Sequence, residues 1–357
     1  MKSTCCTIGR RLTATLASAA VMAMPIASRA DEGGVSFWLP GLFGSMAAAP
    51  LVPGLSWASI YYHTDVSASG NAAVAREITI GQFNPGLNVN INANIHARAD
   101  LGVFGPTYTF ATPVLGGQFS TSLFGIYGRN NVALDATVGG MLGPLPLSTR
   151  TVAIEQTTTG FGDVIPQINL RWNAGLNNYM VYLTGDVPVG KYDSSNLANL
   201  GIGHGAIDGG VAYTYFDPKS GHEFSASFGL TGNFENNSTG YTNGIDSHLD
   251  LGASKFVTKQ LQLGLVGYYY QQLTADSGCA PLLCPFKSRV AGVGPQLGYL
   301  FPIGEMQGYL NLKAYKEFDA ENRPSGWNAW VTLSFSPPPP SAAPSPPPIL
   351  TKAQSRS

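Results

Sequence analysis

The sequence predicts an all-β fold: a transmembrane antiparallel up-and-down β-barrel of about twelve strands, with a hatch-like segment at its N-terminal end. Three observations carry that prediction. Apolar and polar residues alternate with a period of two over much of residues 55–335, and short and long connections take turns along the chain. Charge is scarce, at 11% of 357 residues, where soluble domains carry roughly a quarter. Apart from one N-terminal stretch, no run approaches the roughly 18 apolar residues of a membrane-spanning helix, so a helical membrane protein is excluded. The chain is also too apolar and too weakly charged to be disordered throughout.

Residues 1–30 read as a secretory signal. Lys2, Arg10 and Arg11 make a basic start, Leu12 to Ala27 is small and apolar, and Ser28-Arg29-Ala30 offers a cleavage site after Ala30. A short membrane anchor is the competing reading. The segment holds four of the 20 basic residues and no acid, so the mature chain has 16 basic against 21 acidic residues. That negative balance excludes nucleic-acid binding driven by charge. Cys279 and Cys284 remain after cleavage, in a Pro-containing loop, and are expected to form a small disulfide in an oxidising compartment rather than a metal pair. At the other end, residues 336–357 are rich in Pro, Ser and Ala and read as a disordered or polyproline tail.

Residues 31–54 come next, apolar and interrupted by Pro40, Gly41, Pro50, Pro53 and Gly54. They lack strand alternation and are expected either to fold into the barrel as a hatch, with Phe37, Trp38, Leu39 and Phe43 as a hydrophobic contact site, or to be a simple lead-in. The barrel itself spans 55–335. Its clearest strand sets Leu87, Val89, Ile91, Ala93, Ile95, Ala97 and Ala99 against Asn88, Asn90, Asn92, Asn94, His96, Arg98 and Asp100. A helix would place Arg98 beside Ile91 and Ile95. Similar alternation marks strands near 55–66, 87–112, 116–128, 161–173, 178–187, 206–216, 222–234, 247–256, 261–274, 289–301, 307–318 and 326–335. The polar phase of 87–112 changes near Gly102 to Pro106, where a bulge is expected. Long links are expected at 67–86, 129–160, 188–205, 235–246, 275–288 and 319–325.

An exported chain with an even strand number, short turns on one side and long loops on the other fits an outer-membrane barrel. It is expected to be a monomer in contact with outer-membrane lipid, with long loops outside and both termini in the periplasm. Val331, Leu333 and Phe335 fit the terminal signal read by the barrel assembly machinery, although that signal usually ends the chain.

Several motifs then carry a resemblance. Gly34-Val35-Ser36-Phe37-Trp38-Leu39-Pro40-Gly41, Gly160-Phe161-Gly162-Asp163, Leu183 to Tyr192, Asn199 to His204, Gly294 to Tyr299 and Gly326-Trp327-Asn328 are similar to those of the family named for the meta-pathway of phenol degradation. The resemblance covers about residues 31–335. It implies an outer-membrane transporter for an aromatic or otherwise hydrophobic compound, with no catalytic residues to carry over.

Catalytic patterns are missing from the sequence. It contains no G-x-S-x-G, HExxH or P-loop, and Ser247 and His248 are adjacent and so face opposite sides of a strand. No enzyme activity, cofactor or metal is expected. If the apolar face meets lipid, Asn92, Asn94, His96, Arg98, Asp100, Asp163 and Arg171 face the lumen, joined by Asn169, Glu223 and Asp250. Arg98 and Arg171 are read first as partners of inward acids such as Asp100 and Asp163, and second as contacts for a passing ligand. A structural or surface-binding barrel without transport remains the alternative, and residues 31–54 are what distinguish the two.

Overall fold

A strand that meets hydrocarbon on one face and polar groups on the other should bury its polar side chains and expose its apolar ones. The computed structural model, which describes residues 37–70, 89–142, 145–146, 150–278 and 287–338, has this inverted pattern. On β8 (His222–Asn233), Glu223, Ser225, Ser227 and Thr231 are buried, whereas Phe224, Phe228 and Leu230 are exposed. The polar set lines an interior, and the apolar set forms a belt suited to lipid.

The remaining strands are β1 (Gly54–Ser69), β2 (Val89–Thr109), β3 (Gln118–Leu142), β4 (Leu145–Pro146), β5 (Arg150–Ala174), β6 (Asn177–Asp186) and β7 (Ala206–Phe216). After β8 come β9 (Asp246–Phe256), β10 (Leu261–Gln272), β11 (Arg289–Ile303), β12 (Met306–Glu321) and β13 (Ser325–Ser336). All pairings are antiparallel. β1 lies between β2 and β13, so twelve strands form a closed ring, and the two-residue β4 only folds back on the tip of β3. Closure leaves no sheet edge to face hydrocarbon. With an even number of strands, Gly54 and Ser336 lie at the same end, together with the turns at 110–117, 175–176, 217–221, 257–260 and 304–305.

Three expectations need correction. The link expected at 129–160 is mostly strand, because Val132, Leu134 and Ala136 continue the alternation of β3 and pair with Gln156, Ile154 and Val152 of β5. The link expected at 319–325 shrinks to residues 322–324, so short and long connections do not alternate strictly. The bulge expected at Gly102 to Pro106 is also not in β2, which keeps one register with β1 from Ser69↔Asn94 to Gly54↔Thr109. Register shifts lie instead between Gly125 and Tyr127 of β3, which pair with Val164 and Phe161 of β5 so that the extra residue falls at Gly162–Asp163, and between Arg289 and Ala291 of β11.

Ser59 and Leu333 are partners across the seam between the first and last strands. Cysteines placed at both positions in a background without other cysteines are expected to cross-link on oxidation, giving a shifted band on a non-reducing gel. An open sheet would leave them unlinked.

Candidate functional site

The barrel interior is occupied by residues 37–53. This stretch has three prolines and no charged side chain, so it can neither join a ladder nor form ion pairs. Its peptide groups are satisfied by the wall instead. Gly41 N donates to Asp250 Oδ1 at 2.8 Å, Met46 N to Glu223 Oε1 at 2.8 Å and to Ser225 Oγ at 3.0 Å, and Ala48 N to Thr214 Oγ1 at 3.0 Å. Leu51 and the Gln118 amide exchange two hydrogen bonds, of 2.8 and 2.6 Å. From β12, Lys313 Nζ donates to the carbonyls of Gly41, Leu42 and Phe43 at 2.6, 3.1 and 3.2 Å, and sits 5.2 Å from the Trp330 ring. Gln296 Nε2 donates to Ser45 Oγ.

Two glycines make room for the segment. Gly41 has φ +89° beside Tyr315, and a Cβ on Gly252 of β9 would lie 2.5 Å from the backbone nitrogen of Ser45.

The aromatic side chains of the segment are packed against named partners. Trp38, only 2% exposed, stacks on His248 with centroids 3.7 Å apart and ring planes 13° from parallel. Phe43 lies 5.3 Å from Trp38, and 5.2 Å edge-on to Tyr182. Behind this cluster, His248 Nε2 is 2.9 Å from Asp208 Oδ2, which also accepts from Thr231 at 2.6 Å. A second aromatic cluster, Tyr62, Tyr268, Tyr270, Tyr315 and Trp330, packs against Leu39 and Leu42.

The link at 187–205 also turns inward. Leu197 and Ala198 are buried with Ala93, Ile95, Val132, Leu134 and Ala136. Gln156 Oε1 accepts from the nitrogens of Leu197 and Ala198 at 2.5 and 3.1 Å, and Thr158 Oγ1 donates to Ala198 O at 2.8 Å. Within the link, the hydroxyl and then the amide of Ser195 hold the Asp193 carboxyl below its ordinary pKa. An open cleft of about 670 Å³ lies among the tips of β1, β2, β3 and β12, lined by Ser67, Ile95, Asp135, Glu321 and Arg323 among others.

The residues singled out from sequence divide into two groups. Trp38 and Phe43 come together in one aromatic cluster with Phe37 packed against it, and Leu39 joins the other cluster. Asp163 and Arg171 are inward and buried but not paired with each other. Asp163 accepts from the nitrogens of Gly190 and Ile202 at 2.7 and 2.8 Å, while Arg171 Nη1 donates to Ser120 Oγ at 3.1 Å.

Asn94, His96, Arg98 and Asp100 are a correction. They share the face of Phe104 and Tyr108, which is the outer face, and Arg98 pairs with Asp65 at 2.7 Å rather than with Asp100. His96 also contacts Asp65, and His63 contacts Asp100. This end of β2 rises beyond the apolar belt, so its polar face meets water outside and its apolar face meets the inward link. Asn92 belongs to the same phase, but its side chain lies outside the described residues, as do Cys279 and Cys284. Lys313, Tyr182 and Gln118 carry no sequence signal beyond a polar or aromatic residue at an inward step of a strand, and His248 stands out in the sequence only as half of the excluded Ser247-His248 pair.

A family match and one solved structure agree with this architecture. Residues 60–333 match the family described as "Putative MetA-pathway of phenol degradation". An outer membrane channel from Pseudomonas putida F1 has a similar fold, with a TM-score of 0.58 at 13% identity over 80% of this chain and 97% of that one. CymD, a monoaromatic hydrocarbon channel, aligns with a TM-score of 0.33 at 8% identity over 80% and 89% of the two chains. The toluene transporter TbuX of Ralstonia pickettii aligns with 0.32 at 8% identity over 80% and 90%. No curated protein matches the sequence.

Two substitutions test the seating of the inner segment. Lys313→Met leaves three carbonyls without their charged donor, each such bond being worth about 1.5–3 kcal/mol. Even if water replaces all but one of these bonds, protease cleavage within 40–50 of the assembled barrel should rise roughly tenfold to a hundredfold. Gly252→Val is expected to push Ser45 off the wall and raise single-channel conductance in planar bilayers, while the barrel still migrates as a folded species before heating.

Proposed function

The chain belongs to this family, and on that premise we propose that it is an outer-membrane channel for uptake of hydrophobic, aromatic small molecules by facilitated diffusion. In this reading residues 1–30 direct export, the assembly machinery inserts the barrel as a monomer, and residues 37–53 act as a gate. The observation that carries it is the uncharged, aromatic-bearing segment held in the lumen by hydrogen bonds to wall side chains. Each of those bonds can be exchanged for water as the segment shifts.

The route is blocked twice, by the inward link and by the segment. A ligand reaching the segment meets two aromatic clusters, Trp38–Phe43–Tyr182 and Tyr62–Tyr268–Trp330. An aromatic ring that inserts there gains roughly 25 cal/mol per Å² of apolar surface removed from water, plus about 0.5–1.5 kcal/mol from ring contacts. Specificity among neutral hydrophobic ligands is expected to be broad, because burial separates compounds differing by one methylene by only about 1–3 kcal/mol.

Deleting 37–49 is expected to raise permeability to small polar solutes and to abolish saturable uptake of a labelled monoaromatic by intact cells. If both stay unchanged in a correctly assembled barrel, the segment is no gate and a structural barrel without transport is the better reading.

A further inference from the structure

The groups that seat the inner segment also bear on what else the lumen can hold. The inner wall carries five buried carboxylates on β7, β8, β9 and β12: Asp250 and Glu223 bond the segment itself, Asp208 lies behind the Trp38–His248 stack, and Asp246 and Glu317 bond other wall residues. The cations that face them are few. Lys313 is committed to three segment carbonyls and the Trp330 ring, and His248 lies against Asp208. Arg323 sits over Tyr270 at 5.1 Å, and Arg171 is tied to Ser120.

The segment fits this wall by being neutral and by offering N–H donors to Asp250 and Glu223. When it shifts, Asp250 Oδ1 loses its Gly41 donor, while Glu223 keeps the Ser225 and Ser254 hydroxyls and regains only the acceptor position that Met46 N had filled. Oδ1 of Asp208, fully buried, has no hydrogen-bond partner among the described residues.

We propose that the lumen filters ligands by charge, accepting neutral hydrogen-bond donors and protonated amines and excluding carboxylates. The proposal rests on the reading of the barrel as a channel for aromatic compounds. A carboxylate would bring a like charge beside Asp250 and Glu223, and could gain Lys313 only by stripping it from three carbonyls. An alcohol or an ammonium group instead donates where the segment donates now.

Equilibrium dialysis of the full mature chain in detergent micelles, with empty micelles as blank, tests this with benzylamine, benzyl alcohol and benzoate at neutral pH. Benzylamine and benzyl alcohol are expected to bind at least tenfold more tightly than benzoate. Asp250→Asn and Glu223→Gln should narrow that ratio, and Asp65→Asn on the outer wall should leave it unchanged. Benzoate binding as tightly as the other two overturns the charge filter while leaving aromatic passage standing. Binding of none of the three overturns both. Where a lumen variant fails to assemble, the comparison of the three ligands on the unaltered chain decides alone.

Discussion

Every backbone N–H and C=O at membrane depth must find a partner within the protein, because hydrocarbon offers none. That requirement closes the sheet: β1 bonds to both β2 and β13, and no strand of the ring keeps a free edge along the apolar belt. Closure has a second consequence. Alternate side chains then point into a space cut off from lipid, and polar residues such as Glu223, Asp250 and Lys313 can be carried there without meeting hydrocarbon. A polar interior in turn provides the donors and acceptors that an irregular segment needs. Residues 37–53 can lie across the lumen because the wall supplies partners for their peptide groups.

The strand pattern was legible because the period of two survives wherever the two faces meet different surroundings. What the pattern does not say is which face is which. On β2 one register runs unbroken, yet Phe104 and Tyr108 are outward at one end and His96 and Arg98 are outward at the other. The surroundings change along the strand. Lipid lies outside at the first level, whereas at the second water lies outside and an apolar link lies inside. A change of phase in sequence therefore resembles a bulge when it is a change of solvent. The same effect hid the upper parts of β3 and β5, whose outward Thr, Asn and Glu residues look like loop composition.

The candidate site was legible in one half only. Trp38 and Phe43 stand out because an apolar, uncharged run with repeated proline has no place in a strand. Their partners do not stand out. Lys313 and Gly41 are 272 positions apart, and Met46 and Glu223 are 177 apart. No local spacing encodes such contacts. They follow from the ring, which brings β7 to β12 around one short segment. Local sequence can show that a residue is inward but not what it will face across the lumen.

The two kinds of hydrogen bond in the barrel differ in how readily they can be given up. The ladder bonds of the wall sit at membrane depth, and breaking one exposes both groups to a medium without partners, at a cost of several kcal/mol. The bonds that seat residues 37–53 face a polar interior in which water or a ligand can replace them, so each contributes only about 0.5–1.5 kcal/mol net, or more where a charge takes part. A single aromatic ring burying about 150 Å² gains roughly 4 kcal/mol. That is comparable to a few seating bonds and well below the sum for the whole segment. A ligand can therefore displace one stretch, such as that around Trp38 and Phe43, while Gln118 and Thr214 keep their hold on Leu51 and Ala48. Under the proposed channel reading, local displacement would let a hydrophobic ligand pass without opening the full bore, and so without the water leak that an empty twelve-stranded lumen would give.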